Sequence, residues 1–136
     1  MSTPITLTVP VPEDVTERYA QASGDRNPIH LDEAFARSVG LPGRILHGLW
    51  TAAHVARAAG QAGETGPLLG EGAAARYALA SLELQFRGMG RIGPDLEISG
   101  QADTDADTDG TVAVTLSVTQ DGTRLVRNAR ARVRTR

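Results

Sequence analysis

YAQASGDRNPIHLDEAFARSVGLPGRILHG, residues 19–48, puts Asp25, Asn27 and His30 within one turn and His47-Gly48 directly ahead of a helix-forming run. A carboxylate five residues before an imidazole, with Asn-Pro between them, suits chemistry in which one water is held and deprotonated by one group while another handles a second proton. Glycines and prolines divide the stretch. Helical composition from Glu13 to about Gln21, with acidic residues early, ends at Gly24. A second helix is expected over Leu31–Val39, opened by Asp32 and Glu33 and stopped by Gly40, with Pro42 and Gly43 beyond it. Gly48–Ala59 predicts the principal helix, on which Leu49, Ala52, Ala53, Ala56 and Ala59 recur at three- and four-residue steps as a narrow face of small side chains. Such a face lets a sheet close around it.

Outward from this stretch the period changes to two. Ile5–Val9 alternates apolar and polar before Pro10 and Pro12, which predicts a short first strand at a sheet edge. Leu82, Leu84 and Phe86 alternate with Glu83 and Gln85, Leu96 and Ile98 with Glu97 and Ser99, and Val112–Val118 continues the pattern. These are three half-buried strands. Asp121-Gly122 favours a type I′ turn into a fourth, Thr123 to about Arg134, with Leu125, Ala129, Ala131 and Val133 on one face. Helices followed by an antiparallel meander make the class α+β. Gln61–Gly72 is expected to be a loop, a candidate flap over substrate.

The 136 residues fit one domain, 1–136. Aromatic residues are only 4%, so Ala, Val and Leu must fill the core. A net charge of -2 gives no global reason to expect nucleic acid or an anionic membrane as partner. Absence of cysteine removes disulfides, thiolate metal sites and cysteine nucleophiles. Neither a signal-type amino terminus nor a membrane-length apolar run is present, so a cytoplasmic location is expected.

Individual residues carry alternatives. Asn27-Pro28 shapes the loop, with a hydrogen bond from Asn27 to the water or its holders as a second role. Asp32 is expected to start a helix, and His54 to be structural or on the surface. At the start of the long helix the Gly48 N–H can stabilise a developing oxyanion, or the glycine can relieve crowding against a strand. His47 is a hydrogen-bonded buttress or touches substrate. None of the His30, His47 and His54 spacings is the i, i+4 pair of a helical zinc site, so no metal is expected. Asp105–Gly110 resembles half of a calcium loop, but Leu116 stands where a bidentate Glu is needed, which favours an acidic hairpin tip. Arg130, Arg132, Arg134 and Arg136 alternate onto one strand face, either solvated or a contact for phosphate groups or an acidic protein surface.

Tyr19-Ala20, Ser23-Gly24-Asp25, Asn27-Pro28-Ile29-His30, Asp32, Gly40 and His47-Gly48 together resemble the signature of the MaoC-like dehydratases and R-specific enoyl-CoA hydratases. The resemblance implies a hot-dog fold, a long central helix wrapped by an antiparallel β-sheet, usually paired with a second subunit. It implies reversible syn addition of water to a trans-2-enoyl thioester, giving an (R)-3-hydroxyacyl thioester. Asp25 and His30 take the catalytic positions, Asn27 and His47 support them, and no cofactor beyond the acyl-CoA or acyl-carrier-protein thioester is required. A homodimer is expected, or a heterodimer with a related hot-dog subunit. Alternatives are a dehydratase on carrier-bound fatty-acid or polyketide intermediates, a noncatalytic acyl-binding subunit and, weakest among the enzymes, a thioesterase. Where the family often shows Phe-x-x-Pro-Val and then Gly-Asp, this chain has Phe86-Arg-Gly-Met89-Gly90 and Gly93-Pro94-Asp95, which opens the question of its acyl group; Trp50 is expected to narrow the pocket.

Overall fold

The computed structural model describes residues 2–61 and 77–135. In chain order the elements are β1 (Ser2–Val11), α1 (Val15–Ser23), α2 (Pro28–Leu31), α3 (Glu33–Ser38), α4 (Gly48–Gly60), β2 (Tyr77–Glu83), β3 (Gly93–Asp103), β4 (Val112–Gln120) and β5 (Thr123–Thr135). The strands form one antiparallel sheet in the order β1-β3-β4-β5-β2. α4 packs against β1, β2, β4 and β5, so the class is α+β and the arrangement is the hot-dog fold. The expected loop through Gly72 lies, apart from Gln61, outside the described residues, as does Arg136.

Alternation builds the sheet's inner face. Leu96 and Ile98 are fully buried while Glu97 and Ser99 are exposed, and Val114, Leu116 and Val118 extend the same core across β4. Each such side chain contributes about 1.5–3 kcal/mol on leaving water. A Cβ on Gly100 would fall 1.8 Å from the Thr115 carbonyl oxygen, so only glycine lets β3 lie this close to β4. At the β4–β5 turn Asp121 and Gly122 both have positive φ, 50° and 79°, as a type I′ turn requires.

Several local expectations are corrected. The buried face of α4 is Thr51, Val55, Ala58 and Ala59, whereas Leu49 is 71% exposed and Ala53 is exposed. An alanine-rich helix has little hydrophobic asymmetry, and the sheet takes the side bearing branched Val55. On β5, Leu125 does not lie in phase with Ala129. The β4–β5 register breaks between Leu116 and Val118, Asn128 has φ 54°, and Val126 takes the core-facing position opposite Val118. This bulge lets both Leu125 and Val126 be buried. The helix expected over Leu31–Val39 is α3, Glu33–Ser38, set off from the end of α2 at Leu31 by Asp32, whose backbone is extended and whose carboxylate accepts from the Phe35 N–H at 2.9 Å. The strand expected around Leu82–Phe86 ends at Glu83, and Phe86 makes one isolated bridge to Val126.

β1 is a sheet edge, as its prolines suggest, and β2 is the other. The acidic segment after Asp103 is the β3–β4 connection. There Asp107 pairs with Arg132, and hydrogen bonds from the Thr111 side chain and N–H hold the Asp109 carboxyl below its usual range. That pairing commits Arg132, one of the striped arginines, to a structural role.

Candidate active site

The turn after α1 is built by side chains bonding to the backbone. Gly24 closes the helix at φ 80°, and its N–H donates to the Ala20 carbonyl. Ser23 Oγ accepts from the Asp25 N–H at 3.1 Å, Asp25 Oδ1 from the Asn27 N–H at 3.2 Å, and Asn27 Oδ1 from the Ile29 N–H at 3.2 Å. Asn27 therefore caps α2 with its side chain and steadies the Asp25 carboxylate with its backbone. With Pro28 at the first helical position, α2 projects His30 inward.

His30 is 7% exposed, and its Nδ1 lies 2.8 Å from the Ile45 carbonyl oxygen. A carbonyl only accepts, so Nδ1 carries the proton and Nε2 of the neutral ring presents a lone pair. Asp25 Oδ2 lies 3.9 Å from Nε2, with the carboxylate side chain 51% exposed. That gap exceeds a direct hydrogen bond and matches two groups facing one water.

His47, 2% exposed, stacks on His30 with ring centroids 3.9 Å apart, and Tyr19 packs on it at 4.7 Å. Its Nε2–H donates to the Asp25 backbone carbonyl at 3.0 Å, while Nδ1 is buried with no hydrogen-bond partner among the described residues. This is the geometry of a buttress. It backs the His30 ring and anchors the Asp25 loop, and its free nitrogen is sealed from solvent.

Spacing along the chain had pointed away from metal, yet ligand atoms of Asp25, His30 and His47 gather within 4.8 Å of one another. The donor set fits an ion poorly. His47 Nε2 is engaged by the Asp25 carbonyl, and surrendering it would leave the remaining N–H at buried Nδ1 without an acceptor.

Gly48 opens α4, so its N–H has no intrahelical acceptor and sits at the positive helix end. A Cβ there would come within 3.1 Å of the Phe86 ring, so any side chain at 48 would require that ring to shift. His30, Gly48, Thr51, Phe86 and Leu125 line one cavity of about 170 Å³. On the opposite side of α4, Trp50, His54 and Arg57 face a separate cleft of about 400 Å³ with Tyr19 and β1. Trp50 thus does not narrow the His30 cavity; its ring meets His54 edge-on.

Sequence reasoning missed the Ile45 carbonyl, because a backbone acceptor has no side-chain signature. Glu33 positions the segment that presents it. The carboxylate accepts from the Arg44 N–H at 3.1 Å and from the Arg37 guanidinium, and a Cβ on Gly43 would fall 2.4 Å from Glu33 Oε1. The Arg44 backbone bond, then Arg37, hold the Glu33 carboxyl below its ordinary value of 4.5. A depressed folded value stabilises the fold above the unfolded one and loses that contribution as pH falls through the folded one. Wild type should therefore melt above Glu33→Gln at neutral pH, with the gap closing as pH drops below about 4.5. Thermal melts across this range check it, and a gap independent of pH would contradict it.

The MaoC like domain family matches residues 1–123. A 3-hydroxybutyryl-CoA dehydratase of Methylorubrum extorquens is 40% identical over 80 residues, 59% of this chain and 45% of that protein. The fatty acid synthase beta subunit TOXC of Cochliobolus carbonum is 51% identical over 39 residues, 29% of this chain and 2% of its own length. The chain thus spans less than half of either relative. Among solved structures, the (R)-hydratase from A. caviae involved in PHA biosynthesis superposes with TM-score 0.79 at 23% identity, over 99% of this chain and 96% of that one, a likeness of fold. With the family match covering nearly all of the sequence, the chain belongs to the MaoC-like domain family of hydratases and dehydratases.

Proposed function

We propose that this chain is a hydro-lyase that adds water reversibly and syn to a trans-2-enoyl thioester, giving an (R)-3-hydroxyacyl thioester. The observation that carries this reading is a locked imidazole and a carboxylate 3.9 Å apart, where one water can bond to both, beside the first N–H of a helix. In the hydration direction His30 Nε2 takes a proton from the water as its oxygen bonds to the β-carbon. The double-bond electrons move toward the thioester oxygen, where the Gly48 N–H stabilises the developing charge. The proton taken by His30 passes to the Asp25 carboxylate, which delivers it to the α-carbon, so the imidazole and the carboxylate end the cycle as they began it. Both groups act from one side of the double bond, so the addition is syn. The thioester itself acidifies the α-proton, and the scheme needs no further cofactor.

A dehydratase running the same steps in reverse on carrier-bound intermediates is the second reading, supported by the short fatty acid synthase match. For either thioester, Arg87, Arg127 and Arg130 line a polar cleft of about 360 Å³ and offer charge for phosphate or for an acidic carrier surface. Among the described residues no helix is long and apolar enough to cross a membrane.

Asp25→Asn and His30→Ala should each lower turnover of a short enoyl-CoA by roughly a hundredfold or more, as positioned acid-base groups do. Near wild-type turnover in either variant, with unchanged circular dichroism, would rule this mechanism out.

The same reading favours a homodimer. β1 is an edge bearing Pro4 and Pro10, but β2 is an edge without proline and with Leu79 43% exposed. Pairing β2 across a two-fold axis removes this liability and leaves room for a related hot-dog subunit in the same place. Sedimentation at micromolar concentration should show a dimer. A monomer alone would exclude self-pairing and point to a heterologous subunit.

A further inference from the structure

We infer that Leu46, Leu125 and the segment Phe86–Gly90 close the back of the His30 cavity and restrict the acyl group to about four to six carbons, since a cavity of about 150 Å³ is filled by a six-carbon ring. The inference rests on the thioester reading above and names the chain length that the same site accepts. The cavity containing His30 and Gly48 measures about 170 Å³. Pockets that take drug-sized ligands run to about 300–1,000 Å³.

The wall is fixed rather than merely near. The Arg87 N–H donates to the Leu125 carbonyl at 2.7 Å, and the Leu46 N–H donates to the Gly90 carbonyl at 2.9 Å. Ile45 also bridges Arg91, and Phe86 bridges Val126. Phe86–Arg91 is therefore tied by backbone to β5 on one side and to the strand-like turn before α4 on the other. Its glycines set how close it sits. A Cβ on Gly90 would come 2.7 Å from Leu46 Cδ1 and 3.3 Å from Leu125 Cδ1, and one on Gly88 would come 2.8 Å from the Arg124 carbonyl oxygen. The missing side chain at Gly90 lets both leucines lie against the backbone. Leu46 is 5% and Leu125 2% exposed, so neither swings out of the way without opening the core. Phe86 and Met89, 46% and 60% exposed, stand beside the cavity where movement is less constrained.

Binding of saturated, unreactive acyl-CoAs tests the wall independently of turnover. An open apolar groove would bind each longer chain more tightly. Calorimetry of the wild-type protein should instead show octanoyl-CoA binding no more tightly than butyryl-CoA. Leu125→Ala should improve octanoyl-CoA relative to butyryl-CoA by roughly tenfold, the scale at which one or two methylene-sized contacts discriminate. If circular dichroism shows that this variant has not folded, Leu125→Val and Leu46→Val replace it with smaller shifts of the same sign. Octanoyl-CoA binding more tightly than butyryl-CoA in wild type, or an unchanged ratio in a folded variant, would overturn the inference. Parallel turnover on crotonyl-CoA and trans-2-octenoyl-CoA separates the two readings: a butyryl preference without any hydration would sink the hydratase and leave the wall standing.

Discussion

The hydrogen bond from His30 Nδ1–H to the Ile45 carbonyl is the constraint on which the site depends. It fixes the ring's rotation and its proton, leaving Nε2 as the nitrogen that faces Asp25. Its acceptor is itself held: the Ile45 N–H donates to the Ile29 carbonyl at 3.1 Å, and Ile45 bridges Arg91. The motif turn, the turn before α4 and the segment before β3 thus form one small backbone ladder tying the site to the sheet. His47 works beneath it, stacking on the His30 ring and holding the Asp25 carbonyl. Side-chain chemistry at the site thus rests on main-chain hydrogen bonds.

Much of the fold was legible because local rules and tertiary packing agree. Gly24 at φ 80°, Gly40 at φ 92° and the Asp121-Gly122 turn stand where composition predicted stops and reversals, and Asp32 caps the helix it was expected to start. Alternation located β3 and β4 because each has one buried face. The register of β5 was hidden by the bulge at Asn128, whose positive φ follows from pairing rather than from a glycine signal. The face of α4 was hidden too, since a stripe of alanines cannot announce its inner side when Val55 on another stripe offers more apolar surface.

The motif placed Asp25, Asn27, His30 and His47 in one neighbourhood, and the structure supplies what spacing could not. Asn27 acts as a cap, His47 is sealed beneath His30, and Trp50 belongs to a different cleft. Leu125 could not have been assigned to the cavity from sequence, because it reaches there only after β5 bulges and β2 ends early. Glycine leaves room for close neighbours at three places, at Gly48 for the Phe86 ring, at Gly90 for the Leu46 side chain and at Gly100 for the Thr115 backbone.

The tautomer of His30 tests the central claim most directly. Two-bond nitrogen–proton correlation NMR on ¹⁵N-histidine protein, at a pH where the ring is neutral, distinguishes a protonated Nδ1 from a protonated Nε2. The account predicts the proton on Nδ1, with its signal lost in His30→Ala. A neutral His30 carrying its proton on Nε2 would mean that the Ile45 bond is not made and that the nitrogen facing Asp25 has no lone pair with which to take a proton from water.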